Sequence, residues 1–327
     1  MALDGSVAAV RLAVRRTLAD VPPGDPVVVA CSGGADSLAL LAATVFEARD
    51  GSWRVVGATV DHGLQDGSAE RASALVEQMA AIGADETAAV RVQVHAAGQG
   101  PEAAAREARY AVLEEVASRM GSRVVLLGHT LDDQAETVLL GLARGSGGRA
   151  LAGMRHGFGP FRRPLLELGR ARTEAACRAQ GIRFWNDPHN EDPRFTRSRV
   201  RHRVLPVLEE ELGPGVALAL ARTAAILRED ADALDDLAES ALAELRRPEG
   251  LDAGGLATRP AAVRLRVLRL AALTAGCPGS ELFRVHVLAL ADLAGGPAGG
   301  RQVQLPGHVT AYRSGDWLRF RPTAVGG

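Results

Sequence analysis

The chain has 327 residues, 47% of them hydrophobic, with 38 basic and 39 acidic side chains and a formal charge of −1, so it can bury about two domain cores and is not a uniformly basic nucleic-acid binder. No apolar run reaches the roughly 18 to 20 residues of a membrane span, and the opening Met1-Ala2-Leu3-Asp4-Gly5 lacks the basic-then-apolar order of a secretion signal. Cys31, Cys177 and Cys277 lie far apart without a C-x-x-C pair, which points to neither a disulfide framework nor a zinc or iron–sulfur site, and a reducing cytoplasm is the expected compartment.

From the N-terminus, a helix is expected up to about Asp20, ended by Val21-Pro22-Pro23-Gly24-Asp25-Pro26. The β-branched run Val27-Val28-Val29 then enters Cys31-Ser32-Gly33-Gly34-Ala35-Asp36-Ser37 and continues as a Leu/Ala-rich stretch, which reads as strand, tight loop and helix. Gly33 and Gly34 remove Cβ atoms from the path of an approaching anion. The loop N–H groups and the helix start offer it partial positive charge, and Ser32 and Ser37 add hydroxyls. This is no Walker A loop, which needs a lysine; all 38 basic residues are arginines. A second strand is expected from Trp53 to Asp61-His62, a helix from Ser68 to Ile82, a third strand over Ala89–His95, a helix from Glu102 to Met120, and a fourth strand over Val124–Gly128. Strand starts near 26, 53, 89 and 123 have βαβ spacing, which predicts an α/β fold with a doubly wound parallel sheet and helices on both faces. Ligands in such a sheet sit at the carboxyl ends of the strands. The Ser32 loop, Asp61-His62 and His129-Thr130-Leu131-Asp132-Asp133-Gln134-Ala135-Glu136 all fall there.

Thr130 and one acid could simply cap a helix. Capping does not account for three acids within five residues, and Asp133 and Glu136, spaced i,i+3, share a helix face suited to a metal or a substrate ammonium. From Arg144 to Arg203 there are 14 arginines against 5 acids, whereas Val207 to Asp252 holds 12 acids and 4 arginines. A locally basic band on a neutral protein suits one folded nucleic acid, or is a set of solvated helix faces. Arg194, Arg197, Arg199, Arg201 and Arg203, after Pro193, are the candidates for contacts to a nucleic-acid backbone. Beyond Pro206 the chain changes character. Val216 to Arg247 runs without Gly or Pro, further helices cover 260–275 and 281–293, and the tail around Gln302–Leu305, Ala311–Arg313 and Trp317–Phe320 reads as short strands. The expected division is a catalytic domain at 1–206 and a mainly helical domain at 207–327.

The string Ser32-Gly33-Gly34-Ala35-Asp36-Ser37 after a hydrophobic strand resembles the pyrophosphate loop of PP-loop ATPases. The run from His129 to Leu140 with Arg144-Gly145 resembles the signature of tRNA(Ile)-lysidine synthetases in their short form. So do Asp61-His62-Gly63-Leu64, Ala105 to Tyr110, Arg163-Pro164-Leu165-Leu166 and Arg201-x-x-Val204-Leu205-Pro206. The resemblance implies ATP-dependent ligation of L-lysine to C2 of the wobble cytidine in a CAU-anticodon isoleucine tRNA. It runs through an adenylated cytidine with release of pyrophosphate and AMP, and shifts decoding from AUG to AUA. It assigns ATP to Ser32, Gly33, Gly34, Ala35, Asp36, Ser37, Asp61 and His62, with Mg²⁺ on Asp36. Lysine falls to Asp133 and Glu136, Asp132 is a helper in deprotonation, and Arg109 contacts phosphate or the activated base. A cytoplasmic enzyme with no membrane partner is implied, and a homodimer is left open. Gln65, His189 and Ser198 depart from the family pattern on the tRNA-facing side. The competing readings are a PP-loop tRNA thiolase, which needs reactive cysteines, an amidating ligase acting on small molecules, and a non-catalytic nucleotide-binding regulator, which has no use for the acidic cluster.

Overall fold

A strand that buries three consecutive valines must be covered on both faces, and the computed structural model places Val27–Val29 in such a strand. It describes residues 4–61, 67–92, 101–145, 147–187, 191–297 and 299–323. Strand β1 (Pro26–Ala30) pairs in parallel with β2 (Arg54–Asp61) on one side and β4 (Val124–Leu127) on the other. Strand β3 (Glu86–Arg91) adds in parallel to β2, β6 (Phe161–Arg162) adds in parallel to β4, and β5 (Gly157–Phe158) closes the edge antiparallel to β6. The order β3-β2-β1-β4-β6-β5 reverses direction at β1, so the crevice of this sheet opens at the carboxyl ends of β1 and β4.

Side-chain alternation along β1 sorts the two faces. Val27 and Val29 pack with α1 (Gly5–Thr17), α2 (Ala35–Gly51) and α7 (Arg170–Ala179), whereas Val28 packs with Leu113, Val116 and Ala117 of α4 (Pro101–Met120). Helix α1 begins at Asp4, whose carboxylate accepts from the N–H groups of Ser6 (2.8 Å) and Val7 (3.2 Å), and it buries Val7, Val10 and Val14. Helix α3 (Ser68–Ile82) lies where the sequence places it. The third strand begins earlier than expected, at Glu86, because Asp85 Oδ2 accepts from Val55 N–H at 2.7 Å and fixes the register that pairs Glu86 with Val56. The expected end of that strand at residues 93–95 lies outside the described residues.

Helices α5 (Leu131–Ala143) and α6 (Gly148–Leu151) follow β4. The segment after α7 forms α8 (Thr196–Arg199), a π-helical turn (Val200–Val204) and α9 (Leu205–Glu211). Chain contacts divide the molecule at 225/226, inside the long helix α10 (Val216–Leu245), rather than at 206/207. The physical reason is a small cluster in which Leu205, Ala217 and Leu220 pack on Ala135 and Val200, tying the start of α10 to the first unit. The second unit holds α11 (Ala253–Ala257), α12 (Ala261–Thr274) and α13 (Arg284–Gly295) beside an antiparallel sheet. Its strands are β7 (Arg246–Arg247), β8 (Gly250–Asp252), β9 (Gln302–Leu305), β10 (Val309–Ser314) and β11 (Trp317–Pro322), in the order β7-β8-β11-β10-β9. Leu256, Val267, Leu268 and Leu290 form its core with Ala311 and Leu318.

One glycine sets the approach of the sheet to the phosphate-type loop. At Gly128, just past β4, a Cβ would stand 3.0 Å from Ser37 N and 3.1 Å from the Asp36 carbonyl carbon. Gly128→Ala is therefore expected to push α2 away from β4 and lower stability by about 1–3 kcal/mol, as overpacking does. Urea denaturation checks this, since a wild-type midpoint would mean the loop yields without cost.

Candidate active site

The loop is built from the inside by Ser37. Its buried hydroxyl accepts from Ser32 N–H at 3.1 Å and donates to Gly34 C=O at 3.0 Å. Gly33 takes a left-handed φ of +84°, and its carbonyl accepts from Trp185 N–H at 3.0 Å. Ser32 remains exposed, so of the two hydroxyls it is the one presented to a ligand, together with the N–H groups that open α2. Ala35 is buried beneath the loop, and Asp36, in the first turn of α2, turns toward α7. Its carboxylate pairs with Arg170 at 3.0 Å and accepts from the Thr173 hydroxyl. Burial pushes the Asp36 carboxyl up to about 6, against the pull of Arg170 and Thr173.

The start of α5 answers the capping question in two parts. Asp133 is the reciprocal partner of Thr130, its Oδ2 accepting from Thr130 N–H at 2.9 Å and from the Thr130 hydroxyl at 3.1 Å. Asp132 caps a different helix: its Oδ2 accepts Arg170 N–H at 2.7 Å, at the first residue of α7. The second oxygen of Asp133 meets Arg201 at 3.0 Å and Arg170 at 3.7 Å. Burial alone would raise Asp133, but Arg170, His129, the Thr130 N–H and Arg201 outweigh it and hold the carboxyl below its ordinary value.

Glu136 is fully buried, and both its oxygens are engaged. Arg201 donates to them at 2.5 and 3.0 Å, and Arg197 Nε lies 3.0 Å from Oε2, with its terminal nitrogen donating to Thr137 Oγ1 at 2.8 Å. Burial raises Glu136 while Arg201 and Arg197 oppose it. Two of the five arginines expected at a nucleic-acid backbone, Arg197 and Arg201, thus face inward, because the π-helical turn packs against α5 and the preceding helix, packed on that turn, aims Arg197 at Glu136 and Thr137. Of the others, Arg194 pairs with Asp192 at 2.6 Å, Arg199 donates to the Pro193 and Arg194 carbonyls, and Arg203 is exposed. A lysine amine reaching Glu136 directly would have to displace a guanidinium.

On the far side, Arg163 donates to His129 Nδ1 at 3.2 Å, to the Arg155 carbonyl at 2.7 Å and to the Tyr110 hydroxyl at 3.3 Å. Tyr110 in turn packs edge-on against Phe158 and Phe161. Arg109 is exposed on the same turn of α4. Asp61 ends β2 buried, 3.9 Å from Arg91. His62, Gln65 and His189 lie outside the described residues, and Ser198 is buried in α8. Among the described residues no three His, Cys, Asp or Glu side chains gather as a metal cluster. Asp36, one carboxylate at a phosphate-type loop, suits Mg²⁺, which takes one or two carboxylates and arrives on phosphate oxygens.

Arg170 and Thr173 are not singled out in the sequence, and Arg163 enters there only as part of the Arg163-Pro164-Leu165-Leu166 motif. A signal for Arg170 was present: α7 opens with Arg170 and Arg172 and no acid in its first turn, against the helix dipole, which a structure retains when carboxylates face that end.

Two tests follow from this geometry. Glu136→Gln leaves Arg197 without its counter-charge and Arg201 with Asp133 alone, and should cost about 3–5 kcal/mol by urea denaturation, beyond the roughly 0.3–1 kcal/mol of a surface dipole contact. Burial lowers His129 to about 4, with Asp133 opposing and Arg163 assisting. The unfolded chain therefore takes up a proton below about pH 6.5 that the folded one refuses, so the His129 contribution to stability falls by on the order of 3 kcal/mol as pH drops from about 6.5 to 4, while Asp36, raised to about 6, contributes in the opposite sense over the same window. His129→Gln should remove that contribution, so the variant's denaturation midpoint should rise relative to wild type as pH falls across the window, and a difference that stays constant with pH would assign no titration to His129.

The comparisons agree with this architecture. The family model of the PP-loop domain matches residues 10–208, and that of the TilS substrate binding domain matches 251–319. The tRNA(Ile)-lysidine synthase of Thermobifida fusca is 55% identical over 302 residues, covering 92% of this chain and 93% of its own length. That of Streptomyces coelicolor is 49% identical, covering 97% and 98%. A solved U34-tRNA thiolase from Methanococcus maripaludis superposes with a TM-score of 0.58 at 19% identity, over 68% of this chain and 79% of the other, a likeness of fold. With a PP-loop domain over most of its first unit and such identity along nearly its whole length, the chain belongs to the tRNA(Ile)-lysidine synthase family.

Proposed function

We propose that this protein joins L-lysine to C2 of the wobble cytidine of an isoleucine tRNA with a CAU anticodon, at the expense of ATP. The observation that carries the reading is the meeting of the Ser32–Ser37 loop with Asp36, Asp132 and Asp133 at the carboxyl ends of β1 and β4, in a chain 55% identical to a tRNA(Ile)-lysidine synthase. Cytidine O2 attacks the α-phosphorus of ATP and pyrophosphate departs. The ε-amine of lysine then attacks C2, AMP leaves, and one amine proton passes to a base. Ser32 and the loop N–H groups receive the departing pyrophosphate charge. Mg²⁺, held by Asp36 and the phosphates, supplies charge neutralisation when bound.

A free lysine amine has a pKa of about 10.4 and reaches the site as a cation. Asp133, buried with only 12% of its side chain exposed and held ionised, is the carboxylate assigned to receive the ammonium beside Arg201 and Arg170 and to ease its deprotonation. Glu136 acts from behind through Arg201, and Asp132 holds the start of α7. Arg109 on α4 and exposed Arg203 are the arginines assigned to tRNA phosphates. A thiolase reading on the same fold meets a chemical obstacle. Burial pushes the thiols of Cys31 up to about 12 and Cys177 up to about 11, and neither is a thiolate at neutral pH.

Incubation with a CAU-anticodon isoleucine tRNA, ATP and labelled lysine should yield lysidine on nucleoside analysis, and an unmodified wobble cytidine would reject the reading. Asp36→Ala should release pyrophosphate at least tenfold more slowly while keeping a cooperative unfolding transition; normal release would remove Asp36 from the first step.

A further inference from the structure

Arg170 stands between the two halves of the reaction. Its guanidinium lies 3.0 Å from Asp36, on the nucleotide side, and 3.7 Å from Asp133, on the side proposed for lysine. Its own N–H is fixed by Asp132, so the root of the side chain is pinned while its tip is shared. The Nε is buried without a hydrogen-bond acceptor, and the side chain is 29% exposed, so the group is neither saturated nor sealed in. A cation in the first turn of a helix opposes the dipole, and it is tolerated here because Asp36, Asp132 and Asp133 surround it.

A shared counter-ion makes two sites interdependent. While Arg170 is divided between the carboxylates, part of the Asp133 charge that would attract an ammonium is already neutralised. A polyphosphate arriving at the adjacent loop carries more negative charge than either carboxylate, and a guanidinium forks readily onto phosphate oxygens. Movement of Arg170 toward the phosphates leaves Arg201 as the cation at Asp133 and so returns part of its negative charge to the incoming amine. On this basis, which rests on the lysine site proposed above, we propose that Arg170 is a positioning residue that couples ATP binding to lysine binding, so that each substrate tightens the other. The order has a chemical use: the amine is drawn in where an ATP already waits to activate the cytidine. Linkage requires the coupling to be reciprocal.

The test is calorimetric titration of L-lysine into the full-length protein with tRNA present, with and without saturating α,β-methylene-ATP, whose α–β bridge resists the cleavage. The wild type should bind lysine about five- to twentyfold more tightly when the analogue is present, and the analogue should tighten by the same factor with lysine. Arg170→Gln should bind lysine with an affinity that the analogue leaves unchanged, and Arg170→Lys, which keeps the charge without the fork, should restore part of the factor. Lysine binding by the wild type that is indifferent to the analogue would overturn the coupling and leave the lysine site standing. Coupling that persists in Arg170→Gln would overturn the assignment to this residue. Absence of lysine binding under every condition would overturn both this proposal and the reading beneath it.

Discussion

Four carboxylates, Asp36, Asp132, Asp133 and Glu136, are gathered at the starts of α2 and α5; three guanidiniums, Arg170, Arg197 and Arg201, meet Asp36, Asp133 and Glu136 from α7, α8 and the π-helical turn, and the Arg170 N–H meets Asp132. Charges removed from water are costly unless paired and hydrogen-bonded. This cluster therefore constrains its surroundings: α5, α7 and the segment at 196–204 must dock where their arginines reach the acids. Glu136, with no exposure, is the most demanding member, and Arg201, bridging it to Asp133, is the group through which its position is transmitted.

The same constraint shapes the electrostatics of the crevice. Helix N-termini already favour anions, and the Ser32–Ser37 loop adds further N–H groups. Arg170 moderates the acids that such a site also carries, so that phosphate and ammonium can be received next to each other. Asp36 rises to about 6 while Asp133 is held low. Two neighbouring carboxylates separated in this way suit different tasks, one beside the phosphates and one toward an amine.

Structure also redistributes the roles of the basic band. A cluster of arginines near Pro193 reads as one surface in the sequence, yet it divides into inward members that neutralise α5, at Arg197 and Arg201, and outward ones such as Arg203. The π-helical turn over Val200–Val204 is where this division is made, a local departure from α-geometry that accompanies the aim of Arg201.

The sequence by itself determined the parallel sheet and the loop. Valine runs at βαβ spacing have few other solutions, and glycine pairs after such a strand specify a tight turn from short-range chemistry alone. It also located the acidic cluster, because helix starts and strand ends are local events. The tertiary structure decided what lies opposite each of those acids. Asp132 caps a helix that begins 38 residues later, and Glu136 meets an arginine 65 residues away, and no local periodicity encodes such distances. At Gly128, likewise, a Cβ would stand within 3.1 Å of the Asp36–Ser37 backbone only because β1 and β4 are neighbours in the sheet. Burial did the rest: the same arginine is a solvated charge or a buried counter-ion according to which face of its helix is covered, and coverage belongs to the packed molecule.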